Sequence, residues 1–287
     1  MQNADIHAQK QELPGSDDAL QPPAEFIRDD YEGSHKLKDK VALITGGDSG
    51  IGRSVAMHFA KEGAQIAITY LKEELKDATE VKEWIENIGG TCKLYEADLR
   101  SADTCRQIVA DVLKDFKKIN VLVNNAGTQA PNEDLTTLSD EQWLNTFNVN
   151  VHPMFYLSKA VLTQFTEGDS IINVASVNAY VGPQVLVDYS STKGAMISFT
   201  RALSNQVAAK GIRVNAVAPG PVWTPLQPAT WGPFDAKRLE DFGSDTPQGR
   251  CGQPSELGPV FVFLASQDSS FITGQTIHPN GGTMVGG

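Results

Sequence analysis

The stretch VALITGGDSGIGRSVAMHFAKEG, residues 41–63, decides the fold. It opens with an apolar run, Val41 to Ile44, of the kind found in strands that are buried on both faces of a parallel sheet. A glycine-rich turn follows, then a helical stretch from Arg53 to Glu62 and finally Gly63, a residue favoured just past a helix end. The stretch therefore predicts a strand, a tight turn and a helix in direct succession.

The same alternation continues along the chain. Further short apolar runs lie at residues 66–68, 121–123, 171–174 and 214–217, a helical stretch covers 73–88, and a helix near 255–264 and a strand near 275–278 come last. Alternation at this spacing predicts right-handed βαβ units. We therefore expect an α/β fold, a single doubly wound Rossmann-type domain with a mainly parallel sheet of about seven strands, over residues 40–287.

Two segments depart from this rhythm. Residues 1–39 are polar, contain prolines and show no apolar period, so they form either a flexible tail or an arm laid against the body or a neighbouring subunit. Residues 219–250 are rich in proline, glycine and aromatic residues. Because long irregular inserts in α/β domains often cover binding sites, we interpret this segment as a substrate lid.

Charge and residue composition exclude several classes of function. The formal net charge of −11 argues against a nucleic-acid partner, which would require clustered basic residues. The three cysteines are widely spaced and no metal-ligand pattern is present, so no metal is expected. With neither a signal peptide nor an apolar run of about 20 residues, we expect a cytoplasmic protein without membrane contact.

The glycine-rich turn Thr45-Gly46-Gly47-Asp48-Ser49-Gly50-Ile51-Gly52 has the spacing to bind a phosphate at a helix N-terminus. Its Thr-Gly-x-x-x-Gly-Ile-Gly pattern resembles the signature of the short-chain dehydrogenase/reductase family. Further motifs of that family follow in order, namely Asp98-Leu99, Asn124-Asn125-Ala126-Gly127, Asn148-Val149-Asn150 and Pro219-Gly220. The resemblance covers residues 40 to about 285. The exact motif TGGDSGIG and the long amino-terminal extension are similar to those of bacterial glucose/ribitol dehydrogenase-like oxidoreductases.

The resemblance implies an NAD(P)-dependent oxidoreductase that is usually a homotetramer, assembled through the helices of Asn150 and Tyr189 and the carboxyl end. It also implies that the dinucleotide contacts Gly46, Asp48, Ser49, Gly50, Ile51, Gly52, Tyr70, Leu71, Asp98, Leu99, Asn125, Ala126, Gly127, Tyr189, Lys193, Pro219, Gly220, Val222 and Thr224.

Tyr189 and Lys193 are four residues apart at the start of a predicted helix, which places both side chains on one face. A neighbouring ammonium favours the phenolate and lowers the pKa of the phenol. By resemblance, Tyr189 transfers the proton, Ser176 holds the substrate oxygen, and Lys193 both tunes Tyr189 and binds the nicotinamide ribose. Asn150 would anchor a water that leads protons to Lys193.

The choice between NAD and NADP depends on charge at the end of the second strand. Residues 69–72 offer no acid there, and Lys72 would either favour NADP or be a solvated charge. Ser49 stands where NADP-preferring relatives often carry a basic residue, and Asp48 would repel a 2′-phosphate. We therefore expect NAD, with NADP as the alternative.

Substrate contacts are expected from Ser176, Gln184, Tyr189 and Trp223, and they suit a small alcohol, aldehyde, ketone, sugar or polyol. Two alternatives stay open. A non-catalytic dinucleotide-binding sensor or scaffold is disfavoured by the intact Ser176, Tyr189 and Lys193. A 3-oxoacyl-carrier-protein reductase is disfavoured because an acidic body without an obvious basic patch suits an acidic carrier poorly.

Overall fold

A computed structural model describes residues 6–286, and its centre is a seven-stranded sheet in which every pairing is parallel. The strands are β1 (Val41–Thr45), β2 (Gln65–Tyr70), β3 (Cys92–Glu96), β4 (Val121–Asn124), β5 (Ser170–Val174), β6 (Arg213–Val217) and β7 (Thr276–Ile277). Their spatial order is β3-β2-β1-β4-β5-β6-β7. The predicted doubly wound fold is confirmed.

Nine α-helices connect or flank these strands within residues 6–286. They are α1 (Gly50–Lys61), α2 (Leu75–Asn87), α3 (Ala102–Phe116), α4 (Asp140–Asn150), α5 (His152–Val161), α6 (Asn178–Val181), α7 (Val187–Val207), α8 (Leu226–Asp235) and α9 (Gly258–Ala265). No helix in the described part of the chain is long and apolar enough to cross a membrane.

Strand β1 is buried on both faces, as its apolar run predicts. Ala42 and Ile44 belong to a core that is shared with α1, α2 and α9. Val41 and Leu43 point the other way, into a core shared with α3, α5 and α7. The sheet is therefore sandwiched between two helical layers, and its polar crevice lies at the carboxyl edge where the strand order reverses between β1 and β4.

Residues 6–39 form an arm that lies against the body of the same chain. Leu20 and Leu37 are fully buried. The carbonyl of Pro22 accepts a hydrogen bond from the indole Nε1 of Trp223 at 2.7 Å, and the carbonyl of Glu25 accepts one from the amide of Ser255 at 2.8 Å. The arm is thus ordered by tertiary contacts with the body, although its own sequence predicts no regular structure.

The 219–250 segment is less irregular than its sequence predicts, because it contains α8 and a single 3₁₀ turn at Ala236–Leu239. Gly232 and Pro233 would weaken an isolated helix. The rings of Trp231 and Phe234 lie one turn apart with centroids at 6.2 Å, and both pack on the cluster that contains Tyr189. Tertiary packing of these rings therefore outweighs the poor local propensity.

Candidate active site

One cavity of about 890 Å³ opens at the carboxyl edge of the sheet. It is lined by almost all residues expected at the dinucleotide, namely Gly46, Asp48, Ser49, Gly50, Ile51, Tyr70, Leu71, Asp98, Leu99, Asn125, Ala126, Gly127, Tyr189, Lys193, Pro219, Gly220, Val222 and Thr224. Ser176 lines the same cavity. The sequence motifs, spread over 179 positions from Gly46 to Thr224, thus converge on one space.

The glycine-rich turn is shaped by backbone geometry. Gly46 and Gly50 have φ of +57° and +49°, values that L-residues with a side chain rarely adopt. Gly52 differs from expectation, since it does not line the cavity. A methyl group on Gly52 would lie 1.9 Å from the carbonyl oxygen of Gly46, so this glycine allows the start of α1 to pack beneath the turn.

Asn125 and Thr45 hold the turn against the end of β4. The amide of Asn125 donates to the carbonyls of Thr45 and Gly46 at 2.9 and 2.8 Å. In return, the hydroxyl of Thr45 accepts from the backbone amides of Asn125 and Ala126 at 2.9 and 3.0 Å. The shape of the turn is therefore fixed by hydrogen bonds before any ligand arrives.

Tyr189 and Lys193 lie on one face of the first turns of α7, as their spacing predicts. Both are buried, and the Nζ of Lys193 lies 5.4 Å from the ring centroid of Tyr189. The same Nζ donates to the carbonyl oxygen of Val174 at 2.7 Å, at the end of β5. Ser176, two residues further along, reaches the cavity from that strand end.

Burial dominates the ionisation of this pair. It raises the pKa of Tyr189 to about 12, although a hydrogen bond with Ser176 acts in the opposite direction. It lowers the pKa of Lys193 to about 7. Desolvation therefore disfavours both charged forms, and the expected lowering of the Tyr189 pKa by Lys193 stays a prediction.

Asp188 is a positioning group that the sequence analysis missed. Its Oδ1 accepts from the backbone amide of Tyr189 at 2.8 Å. Its Oδ2 accepts from the hydroxyl of Thr146 at 2.7 Å and from the amide of Gln142 at 3.2 Å. The buried carboxylate therefore ties the start of α7 to α4 and fixes the backbone that carries Tyr189.

Asn150 lies behind the cavity wall instead of in its lining. Its Oδ1 accepts from the amide of Thr128 at 2.8 Å, and its Nδ2 donates to the carbonyl of Thr128 at 2.9 Å and to Thr192 at 3.0 Å. It stays close to the reacting pair, since a methyl group on Gly127 would touch both its Oδ1 and the Nζ of Lys193. The expected water relay stays a prediction.

Two residues that were expected to contact the substrate do not line the cavity. Trp223 is fully buried outside the cavity, where it packs with Leu20 of the arm and donates its indole proton to Pro22. Gln184 is exposed and does not line the cavity. The lid instead presents Gln227, Trp231, Arg238, Asp241 and Phe242. Sequence could not separate the two lid tryptophans, because only the docked arm decides which one is covered.

An acidic group lies at the end of β2, contrary to the sequence expectation. The Oε2 of Glu74 accepts from the amide of Leu71 at 2.7 Å, which folds this carboxylate back over the strand end. Burial raises the pKa of Glu74 to about 7. The neighbouring Asp48 is fully buried, and burial together with the charge of Glu74 holds its pKa well above its usual value. Lys72 is exposed and does not line the cavity.

A family model described as enoyl-(acyl carrier protein) reductase matches residues 46–284. The glucose and ribitol dehydrogenase of Daucus carota is 45% identical over 285 residues, which cover 97% of each chain. NADPH-dependent aldehyde reductase 1 (chloroplastic) of Arabidopsis thaliana is 44% identical over 97% of this chain and 96% of its own. A short-chain dehydrogenase of Burkholderia cenocepacia J2315, solved in complex with NADP, superposes with a TM-score of 0.80 at 29% identity and covers 86% of this chain and 98% of its own.

Proposed function

This chain belongs to the short-chain dehydrogenase/reductase family and is a nicotinamide-dependent oxidoreductase, and from this premise we propose that Tyr189, Ser176 and Lys193 carry its reaction on small alcohols and carbonyls. The single observation that carries the proposal is the convergence of these three side chains and the glycine-rich turn on one cavity. Its relatives act, by their names, on glucose, ribitol and aldehydes. The class of substrate is therefore a small aldehyde, ketone, sugar or polyol.

The residues present fit a dinucleotide. The two glycines with positive φ, Gly46 and Gly50, open the helix α1 N-terminus to a pyrophosphate. Asp98 and Leu99 would hold the adenine side, while Pro219, Gly220 and Thr224 would hold the nicotinamide side. The bound nicotinamide supplies or accepts the hydride.

The side chains of this protein handle the substrate oxygen and its proton. In carbonyl reduction, the phenol of Tyr189 donates its proton to the oxygen as negative charge develops there. The hydroxyl of Ser176 donates a hydrogen bond to the same oxygen and orients the carbonyl. Lys193 would stabilise negative charge on Tyr189 and hold the ribose of the dinucleotide. In alcohol oxidation the same groups act in reverse.

The proposal is tested by turnover with a panel of aldehydes, ketones, sugars and polyols, followed by the absorbance of NADH and NADPH. We expect oxidation or reduction of at least one class together with measurable binding of a nicotinamide dinucleotide. Binding without any turnover across the panel would favour the sensor or scaffold alternative over catalysis by these residues. Failure to bind either nucleotide would contradict the proposal outright.

We further propose that the enzyme prefers NAD to NADP. The support is the pair of carboxyl groups, Asp48 and Glu74, at the end of β2 where the ribose 2′-position is read in this class of fold. Above pH 7 Glu74 is ionised and would repel a 2′-phosphate, and burial of that phosphate against the two carboxyl groups would carry a further desolvation cost. The proposal goes against the NADPH named for the Arabidopsis relative and the NADP bound to the Burkholderia protein.

Glu74→Gln tests this preference, because above pH 7 it removes a negative charge while keeping the shape of the side chain and an oxygen acceptor for the amide of Leu71. We expect kcat/KM with NADPH to rise relative to NADH by about tenfold, the equivalent of roughly 1.4 kcal/mol.

In the parent protein the ratio of kcat/KM with NADPH to kcat/KM with NADH should rise as the pH falls through about 7, because Glu74 then gains a proton and no longer repels the phosphate. Asp29→Asn, an exposed change outside the cavity, serves as the control. A parent enzyme that already prefers NADPH would contradict the proposal.

We also propose a homotetramer. Leu144 on α4 and Phe155 on α5 are 56% and 47% exposed, and Trp143 and Val187 add further exposed apolar surface on α4 and α7. Exposed apolar groups of this size on neighbouring helices favour burial between subunits. A mass determination by light scattering should therefore give four chains per particle, and a monomer would contradict this assembly.

A further inference from the structure

The amino-terminal arm reaches the cavity itself. Leu13 and Pro14 line it, together with Ser49 and Glu74 at its nucleotide end. This contribution is unexpected, since nothing in the polar sequence of the arm predicts a binding role. It means that part of the wall around the proposed dinucleotide comes from outside the βαβ units.

The next residues of the arm hold the glycine-rich turn. The Oδ2 of Asp17 accepts from the backbone amide of Gly50 at 3.4 Å and pairs with the guanidinium of Arg53 at 3.5 Å. The backbone amide of Asp17 in turn donates to the Oδ2 of Asp77 at 3.1 Å. Asp17 is almost completely buried and therefore links the start of α1 to α2 through the arm.

The same segment touches the lid. A methyl group on Gly15 would lie 2.8 Å from the carbonyl oxygen of Pro225, and the φ of Gly15 is +89°. The amide of Gln11 donates to the carbonyl of Pro228 in α8 at 3.3 Å. The segment thus fills the space between the turn and the lid and leaves no gap for a side chain at position 15.

From these contacts we infer that residues 13–17 are part of the dinucleotide site: Leu13 and Pro14 form its outer wall, and Asp17 is a positioning residue that holds the turn in its binding shape. This inference rests on the proposed function, because it concerns how the same cavity binds its cofactor. Apolar wall residues exclude water from a bound ligand, and a preformed turn binds without an ordering cost. Cofactor affinity should therefore depend on the arm.

The test measures the Kd of NADH, and of NADPH if NADH does not bind, by fluorescence with the full chain. Asp17→Ala should raise the Kd by about tenfold, whereas Asp17→Asn, which keeps an oxygen acceptor for the amide of Gly50, should recover part of that loss. Leu13→Ala should raise the Kd by several-fold. Leu135→Ala, an exposed leucine outside the cavity, and Asp29→Asn are the matched controls and should leave the Kd unchanged.

A purely structural role would have a different signature. For a positioning residue, the loss should appear in the KM for the dinucleotide while kcat at saturating cofactor stays near that of the parent protein. Hydrogen exchange of the parent protein gives a readout without any substitution, since NADH should slow exchange at the amides of residues 11–17 together with those of the turn.

The outcomes separate the two proposals. If the parent protein binds no nicotinamide dinucleotide, the proposed function fails. If it binds one and the turn is protected, but the arm amides and the Kd of the Leu13 and Asp17 variants are unchanged, only the role of the arm is overturned. A fall in kcat and melting temperature without a change in Kd would overturn it as well.

Discussion

Replacing Tyr189 with phenylalanine is expected to lower kcat by about 10²- to 10⁴-fold, the usual worth of a positioned proton donor. The change removes one oxygen, and the ring should keep its packing against Val185 and Leu186. Dinucleotide affinity should therefore stay close to that of the parent protein. The measurement is the initial rate with the best substrate of the panel, beside the Kd of NADH or NADPH.

The pH profile provides a second readout of Tyr189. Because burial raises the pKa of Tyr189 to about 12, the phenol is protonated at neutral pH and ready to donate in carbonyl reduction. Alcohol oxidation requires the phenolate, so its rate should rise with pH, and the positive charge of an oxidised nicotinamide should move that rise to lower pH. The variant should lack this rise.

Tyr95→Phe is the matched control, because Tyr95 donates its hydroxyl to Asp115 at 2.7 Å and does not line the cavity. It should leave kcat and the pH profile unchanged. Full activity of Tyr189→Phe, or an equal loss in both variants, would show that Tyr189 does not transfer the proton.

Lys193→Met is expected to combine a large loss of activity with a gain in stability. A neutral side chain of similar length cannot stabilise charge on Tyr189, so kcat/KM should fall by about 10²- to 10⁴-fold. In the parent protein the folded-state pKa of Lys193 is about 7, below its usual value of 10.5. Between these values the unfolded state binds the additional proton, so the free energy of unfolding contributed by this group rises with pH.

Methionine removes this pH-dependent contribution. The free energy of unfolding should therefore change less steeply with pH between about 7 and 10.5 than in the parent protein. At pH 7 the variant should melt higher, by about 2–4 °C for each kcal/mol recovered, less the cost of leaving the carbonyl of Val174 without its donor. Thermal melts at several pH values measure both effects. Lys210→Met, at an exposed position, should change neither the activity nor the pH dependence of the melting temperature. An unaltered pH dependence in Lys193→Met would show that burial does not lower the pKa of Lys193.

Much of this architecture is readable from local sequence. The strand of Val41 to Ile44 and its glycine-rich turn are specified within a dozen residues, and the spacing of Tyr189 and Lys193 fixes a helical face directly. The parallel sheet then brings strand ends together, so Ser176 reaches the cavity for topological reasons that the chain order already contains.

The features that the sequence did not predict depend either on a local fold-back of the chain or on contacts between distant segments. Glu74 reaches the end of β2 by folding back one turn, and Trp223 is removed from the cavity only because Pro22 covers it. The ionisation of Tyr189 and Lys193 depends on how completely the lid excludes water, and no residue pattern encodes that depth of burial. Local motifs therefore predicted which residues form the candidate active site. Packing between distant segments determined the burial of those residues and the lining of the cavity.

The docked arm has a consequence for the order in which the chain matures. Pro22 and Trp223 are 201 positions apart, and Glu25 and Gln253 are 228 apart. During synthesis Asp17 can meet Gly50, Arg53 and Asp77 early, but the contacts of Pro22 and Glu25 form only when nearly the whole chain is made. Because Leu13 and Pro14 complete the cavity wall, a nascent or truncated chain without residues 223–255 has the glycine-rich turn but no finished pocket. We therefore expect a chain that lacks these carboxyl-terminal residues to bind the dinucleotide more weakly than the complete polypeptide.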